Sequence, residues 1–390
     1  MDSPFHIASA AEIIEGKVTD VYFQRALKVL NSCDLRKKVK AEFILKHFPK
    51  NYQWGILAGL DEAFSLLSKL PVTVKAMPEG SVFYPNEPVM IIEGTYQDFA
   101  IHETALLGFL CQASGIATKA ARVRAAAGER QVIHFGARRM HPAIAPMIDR
   151  NSYVGGCDGV ATMLGADMLG LQPSGTMPHS MILLFGDTVD AAKKFDEIIE
   201  PSVKRTVLVD TFLDEKFESV RVAEALGKRL FAVRLDTPAS RRGDFLSLCK
   251  EVRWELDVRG YSHVKIFVSG GIDEYSIGKL NEVVDAYGVG TSISSAPVLD
   301  FALDIVEIDG IPISKRGKLS GEKLVYVNKP SGKRSILPVS QKPARGDQAL
   351  LNVVIQEGKT VAQLPKDSDV RKFVMSQLKR YELTFDVNSA

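Results

Sequence analysis

Between about residue 130 and residue 290 the chain repeats one unit: a short run of Val, Ile, Leu and Phe, a loop carrying glycine or charge, then an amphipathic helix. The runs are Gln131 to Phe135, Thr206 to Val209, Phe231 to Leu235 and Val264 to Val268, and the helices include Glu215 to Leu226 and Asp244 to Val258. Strands that are apolar throughout are buried on both faces. Alternating with helices, they predict a parallel sheet, doubly wound or closed as a barrel. We read them as a (β/α) barrel.

In such a sheet the loops after the strands share one mouth, so their residue types carry the chemistry. Lys265-Ile266-Phe267-Val268-Ser269-Gly270-Gly271-Ile272-Asp273 and Tyr287-Gly288-Val289-Gly290-Thr291-Ser292 each run from a strand into a glycine-rich turn. Glycine lets backbone N–H groups approach a phosphate closely, and two such turns after consecutive strands predict a phosphate cradle. Val209-Asp210-Thr211 and Leu235-Asp236-Thr237 put two carboxylates at the same rim. Beside phosphate they suit Mg²⁺; singly, each would also serve as a helix cap. Arg138 and Arg139, Arg234 inside an apolar strand, and Arg241-Arg242 supply forks for a multiply anionic ligand. His179 follows the turn Pro173-Ser174-Gly175-Thr176 and could touch phosphate, accept a phosphoryl group, or be structural.

Composition excludes several function classes. The 390 residues are 46% hydrophobic and 25% charged, enough for two or three domains, and a net charge of +2 does not make the whole surface a nucleic-acid partner. Cys33, Cys111, Cys157 and Cys249 form no Cys-x-x-Cys pair, so neither a zinc site nor a disulfide framework is signalled, and reduced thiols fit a cytoplasmic protein. No segment reads as a signal peptide or membrane span.

Residues 1–112 alternate helices with strand-like pieces such as Val72 to Ala76 and Val89 to Glu93, predicting an α+β domain. An apolar helix from Ile101 to Ala127, interrupted at Ser114-Gly115, is expected to lead into the barrel domain, residues 113–305. Residues 306–390 form a third region, where nine Lys or Arg lie between Ile313 and Arg345 against one acid, Glu322. There Leu324 to Val327 and Ile336 to Val339 flank a Pro-Ser-Gly turn and predict a small β-ribbon. Its basic face is solvated or meets a polyanion such as RNA.

The series Leu107 to Thr118, Phe-Gly-x-Arg-Arg at Phe135 to Arg139, Ser-Gly-Thr-Met-Pro-His at Ser174 to His179, Arg-Leu-Asp-Thr at Arg234 to Thr237 and the paired glycine turns resembles the type II phosphoribosyltransferases of pyridine nucleotide synthesis. Within them it is most similar to the archaeal-type nicotinate phosphoribosyltransferases, in matching order from about Thr19 to Thr291.

The resemblance implies an N-terminal α/β sandwich, an irregular parallel (β/α) barrel and a small C-terminal ribbon and helix. It implies transfer of the phosphoribosyl group from phosphoribosyl pyrophosphate to nicotinate, with Mg²⁺ and with ATP as a co-substrate through His179. It also implies a homodimer with shared sites and no nucleic-acid or membrane partner. Phe135 would stack on the pyridine, and Tyr22 from the second subunit would cover the other face. Arg138, Arg234 and Asp158 would lie near the ring carboxylate and phosphates, and Asp210 and Asp236 would hold ribose hydroxyls and Mg²⁺. Ser269, Gly270, Gly271, Gly290 and Thr291 would hold the 5′-phosphate. Some archaeal relatives carry a cysteine zinc knuckle in the ribbon; with no cysteine after Cys249, this ribbon is expected to be metal-free. Quinolinate phosphoribosyltransferase is the alternative, although this chain has Arg138-Arg139-Met140 where those enzymes carry Arg-Lys-Thr. A non-catalytic barrel binding RNA is a third.

Overall fold

The computed structural model describes residues 5–381 and Leu383. It divides into two compact units. One comprises residues up to Thr118 together with Pro297–Leu383, and the other spans Lys119–Ala296.

In the second unit six parallel strands lie in the order Gly159–Val160, Gln131–His134, Ala286–Val289, Lys265–Val268, Leu230–Leu235 and Arg205–Leu208. The strand Arg205–Leu208 is buried at every position, as expected of a parallel strand covered on both faces. The sheet curls as a half-barrel. Ile133, Ala232 and Phe267 pack with Phe135, Phe231 and Ala286 into a cluster contributed by four adjacent strands. Three of the intervening helices begin at aspartates: Asp187 accepts from the Val189 and Asp190 amides, Asp214 from Lys216, and Asp244 from Leu246 and Ser247.

The first unit is built on a seven-stranded antiparallel sheet, in the order Ile311–Pro312, Phe301–Ile308, Lys38–Leu45, Pro88–Thr95, Thr73–Ala76, Asn352–Gln356 and Lys359–Thr360. Val74, Met90, Phe43 and Leu303 contribute to one core from four neighbouring strands. Sequence beyond residue 306, set apart by its basic composition, therefore supplies strands to the sheet of the N-terminal region. The expected ribbon is present as Lys323–Asn328 paired with Arg334–Pro338, and Asp347–Ala349 adds a third strand. The helix Asp367–Arg380 is tied to the same unit, because Gln377 accepts from the Val82 amide and donates to the Gly80 carbonyl.

The interruption expected at Ser114-Gly115 does not form, since Glu103–Ala127 is one continuous helix. Ser114 Oγ instead takes a 3.0 Å hydrogen bond from the Ala58 amide, and a Cβ on Gly115 would collide with the Pro297 carbonyl oxygen. These small residues admit neighbouring backbone. The division between the units falls within this helix. Among the described residues no helix is long and apolar enough to cross a membrane.

Candidate active site

The strands Gln131–His134, Leu230–Leu235, Lys265–Val268 and Ala286–Val289 deliver their following loops to one mouth, where a cavity of about 460 Å³ opens. Phe135, Arg138, Arg234, Asp236, Ser269, Gly270, Gly271, Gly290 and Thr291 all line it. Arg139 and Arg242 join them, so four arginines face two carboxylates, Asp236 and Asp273. That excess suits a ligand with several negative charges.

The two glycine turns shape one wall. Gly270 and Gly271 have φ of +82° and +67°, a backbone that side chains rarely adopt, and a Cβ on Gly270 would come within 3.0 Å of the Asp236 carbonyl oxygen. Arg242 Nη1 donates to the Gly270 carbonyl at 2.8 Å and holds the turn. Asp273 caps the helix Glu274–Leu280, and Glu274, fully buried, is clamped by Lys119 and by Arg122 Nε at 2.9 Å. On the adjoining wall, Gly288 leaves room for an aromatic ring. A Cβ there would meet the Phe135 ring at 2.5 Å.

Arg234 and Asp236 leave their strand on the same side, two residues apart. Arg234 Nε donates to Ser269 Oγ at 2.9 Å and Nη1 to Thr176 Oγ1 at 2.7 Å, while its guanidinium lies 5.3 Å from the Phe135 ring centre. Burial holds its pKa below the usual arginine range, opposed by the charges of Asp236 and Asp210. Ser269 Oγ in turn donates to Asp236 Oδ1 at 2.7 Å, and Arg234 Nη2 lies 3.3 Å from Asp236 Oδ2. One cluster thus fixes ring, guanidinium and carboxylate together.

Asp210 lies behind this cluster, its side chain 2% exposed. Burial raises its pKa; His179, with Nε2 3.3 Å from Oδ2, opposes the shift, and the charge of Asp236 adds to it. Its Oδ1 is buried without a hydrogen-bond partner. Neither Asp210 nor Asp236 caps a helix: Asp214 caps Glu215–Leu226, and Pro238 precedes the short helix Ala239–Arg242. Two mutually repelling carboxylates, one with an orphaned oxygen, fit a divalent cation that completes its shell with substrate oxygens, as Mg²⁺ does. No group of three or more His, Cys, Asp or Glu side chains suited to a metal occurs among the described residues, so these alone offer no closed metal cage.

One expected residue stands elsewhere. Asp158 accepts from the Val132 amide at 2.9 Å and pairs with Arg124. Strand register explains this: Ile133 pairs with Gly159, so Asp158 sits towards the amino end of the sheet, away from the mouth that Phe135 enters. Tyr22, expected to reach the site of a second subunit, belongs to the first unit, where it is 57% exposed and its ring lies tilted against Phe23 with centres 4.3 Å apart. Sequence reasoning gave no role to Thr176 as the anchor of Arg234, nor to His134, Asp149 and Ser294. Thr176 was visible inside Ser-Gly-Thr-Met-Pro-His. The other three are too far apart in the chain for any spacing to connect them.

Family models match most of the chain: quinolinate phosphoribosyl transferase, N-terminal domain, over residues 20–114, and its C-terminal domain over residues 116–304. The chain belongs to this family, the type II phosphoribosyltransferases. It is 54% identical to a crystal structure titled nicotinate-nucleotide pyrophosphorylase from Pyrococcus furiosus, with a TM-score of 0.96 over 98% of this chain and 99% of that one. A human nicotinic acid phosphoribosyltransferase shares the fold at 19% identity, with a TM-score of 0.72 over 93% of this chain and 94% of that one. A curated nicotinate phosphoribosyltransferase of Mycobacterium tuberculosis is 38% identical over 264 residues, 65% of this chain and 55% of the relative. The match thus spans little more than half of that relative's length.

Proposed function

We propose that this protein forms nicotinate mononucleotide and pyrophosphate from phosphoribosyl pyrophosphate and a pyridine carboxylic acid, in NAD biosynthesis. The observation that carries the proposal is the single cavity lined by two glycine turns, four arginines, Asp236 and Phe135. The glycine turns would bind the 5′-phosphate. Phe135 would stack on the pyridine, with Arg138 and Arg234 turned to its carboxylate and to the phosphates.

The ring nitrogen attacks the ribose C1 as the bond from C1 to the pyrophosphate oxygen breaks. Positive charge grows on the ribose and is met by Asp236 and Asp210; negative charge on the leaving group is met by the arginines. Asp210 and Asp236 would hold Mg²⁺, which supplies charge neutralisation at the pyrophosphate. The pyridine nitrogen is already nucleophilic, so no activated side chain is needed.

Quinolinate is the acceptor favoured by the family models and by the pyrophosphorylase structure that this chain matches over nearly its whole length. Its ring carboxyl at carbon 2 would leave as CO₂, the electron pair staying on that carbon until it takes a proton. Nicotinate, which the sequence motifs favour, is the second reading. It is supported by the curated relatives named nicotinate phosphoribosyltransferase and by Arg138-Arg139-Met140.

Parallel assays with Mg²⁺, phosphoribosyl pyrophosphate and quinolinate, nicotinate or nicotinamide test this. Nucleotide from quinolinate with CO₂ release establishes the first reading, and nucleotide from nicotinate alone establishes the second. No product from any acceptor refutes both.

A polyanion-binding role for the basic ribbon has weaker support, because four of its nine cations face acids. Lys315 and Lys318 pair with Asp304, Lys323 with Glu42 and Arg334 with Glu87. Tyr22 is proposed to complete the site of a second subunit, which its exposure allows. Tyr22→Ala and Asp236→Asn chains, each impaired alone, would then regain part of the activity once mixed and exchanged. No recovery despite subunit exchange would refute the shared site.

A further inference from the structure

Directly behind the cavity runs a buried polar chain to which the reaction gives no role. His134, the last residue of the strand that leads into Phe135, is 0% exposed. Its Nδ1 lies 2.6 Å from Asp149 Oδ1 and its Nε2 3.1 Å from Ser294 Oγ. Asp149 is also 0% exposed and accepts from Thr162 Oγ1 through its other oxygen. Ser294, 2% exposed, donates to the Gly290 carbonyl at 3.3 Å.

Ser294, His134 and Asp149 have the order of a hydrolytic triad, but the serine is shielded from solvent and its hydroxyl is directed to backbone. The chain therefore ends on a phosphate turn and not on a nucleophile. Gly136 shows how closely it is packed: a Cβ there would collide with Ser294 Oγ, and would lie 2.6 Å from the Gly290 carbonyl oxygen and 2.7 Å from His134 Nε2.

We infer that His134 and Ser294 are positioning residues that lock the Gly290–Thr291 turn to the strand carrying Phe135, beyond the point where the ladder bond from the Phe135 amide to the Val289 carbonyl, at 2.8 Å, ends the sheet pairing. They fix the distance between the 5′-phosphate and the stacked acceptor ring. Neither lines the cavity; they act through Gly290 and Phe135, which do. Transfer requires reacting atoms held within a few tenths of an ångström of their productive spacing, and a turn free to drift would lose it. The inference rests on the phosphoribosyl reading of the site.

Ser294→Ala removes the link between His134 and the Gly290 carbonyl, which keeps its bonds from the Ile293 and Ser294 amides, and leaves the His134–Asp149 bond intact. His134→Asn keeps a donor towards Asp149 and loses the contact with Ser294. Each is expected to raise the KM for phosphoribosyl pyrophosphate about threefold to tenfold, the range of one lost hydrogen bond, with less than about a twofold change for the pyridine acid. The double variant should match either single one, because both cut the same connection. Hydrogen exchange, read without substrate, should quicken in residues 288–295 and nowhere else.

Unchanged KM values with unchanged exchange overturn the inference, as does multiplication of the two effects in the double variant. Destabilisation spread over the whole unit would reduce the chain to ordinary core and also overturn it. A wild type inactive with every acceptor refutes the phosphoribosyl reading instead; localised exchange in residues 288–295 would still establish the lock on the turn.

Discussion

Replacing Asp236 by Asn separates the carboxylate's charge from its shape. The amide oxygen can still accept from Ser269, which now bonds Oδ1 at 2.7 Å, so the Ser269-Gly270-Gly271 turn keeps its anchor. The exchange removes a negative charge 3.3 Å from Arg234 and beside the proposed ribose. A full unit charge about 4 Å away contributes about 4 kcal/mol at an effective dielectric constant of 20, and a half-developed one about 2 kcal/mol. The turnover number should therefore fall about 30- to 1000-fold. Stability should move by less than about 1 kcal/mol, because the lost attraction to Arg234 is offset by relief of the repulsion between Asp236 and Asp210. Pyrophosphate release at saturating substrates, followed across a Mg²⁺ titration, measures the first quantity, and urea unfolding the second. A turnover number within threefold of wild type, in a folded variant, would show that Asp236 only anchors the glycine turn.

Burial pushes the Glu103 carboxyl up to about 7, opposed by Lys315 and assisted by Asp304 and Asp20. A raised folded-state pKa stabilises below the unfolded value and loses that contribution as pH rises through about 7. Glu103→Gln should thus gain stability over wild type, by about 1 to 2 kcal/mol after discounting partial exposure, between pH 5 and pH 8.5. A difference that does not change with pH would refute it. His179 is 40% exposed with Nε2 3.3 Å from Asp210, an arrangement open to phosphoryl transfer from ATP. Labelled γ-phosphate should mark wild type and not His179→Ala; equal labelling, or no ATP effect on yield, would leave His179 as a partner of Asp210 alone.

The parallel strands were legible because burial on both faces makes them apolar throughout, and the mouth because glycine turns, Asp and Arg recur directly after those strands. Ser114-Gly115 was misread because a glycine inside a helical pattern gives the same local signal whether the helix breaks or a neighbour packs close. Here the neighbour lies near residue 297, far along the chain. Asp158 was misplaced for a different reason: a glycine-aspartate loop carries no mark of which end of its strand it occupies, and one residue of register decides. The lock on Gly290 joins residues 134, 149 and 294, a contact that only tertiary structure reveals.

The interleaving of the two chain ends in one sheet bears on the order of folding during synthesis. The strand Thr73–Ala76 pairs on one side with Asn352–Gln356, and Lys38–Leu45 pairs with Phe301–Ile308. An emerging N-terminal segment thus waits for more than 250 further residues before its sheet is bounded, with two strand edges open meanwhile. Residues 119–296 contain every strand of their own parallel sheet and meet no such delay. The unit that carries the candidate site can gather all its strands while the first 118 residues still lack theirs, so those residues stay longest exposed to wrong edge pairing.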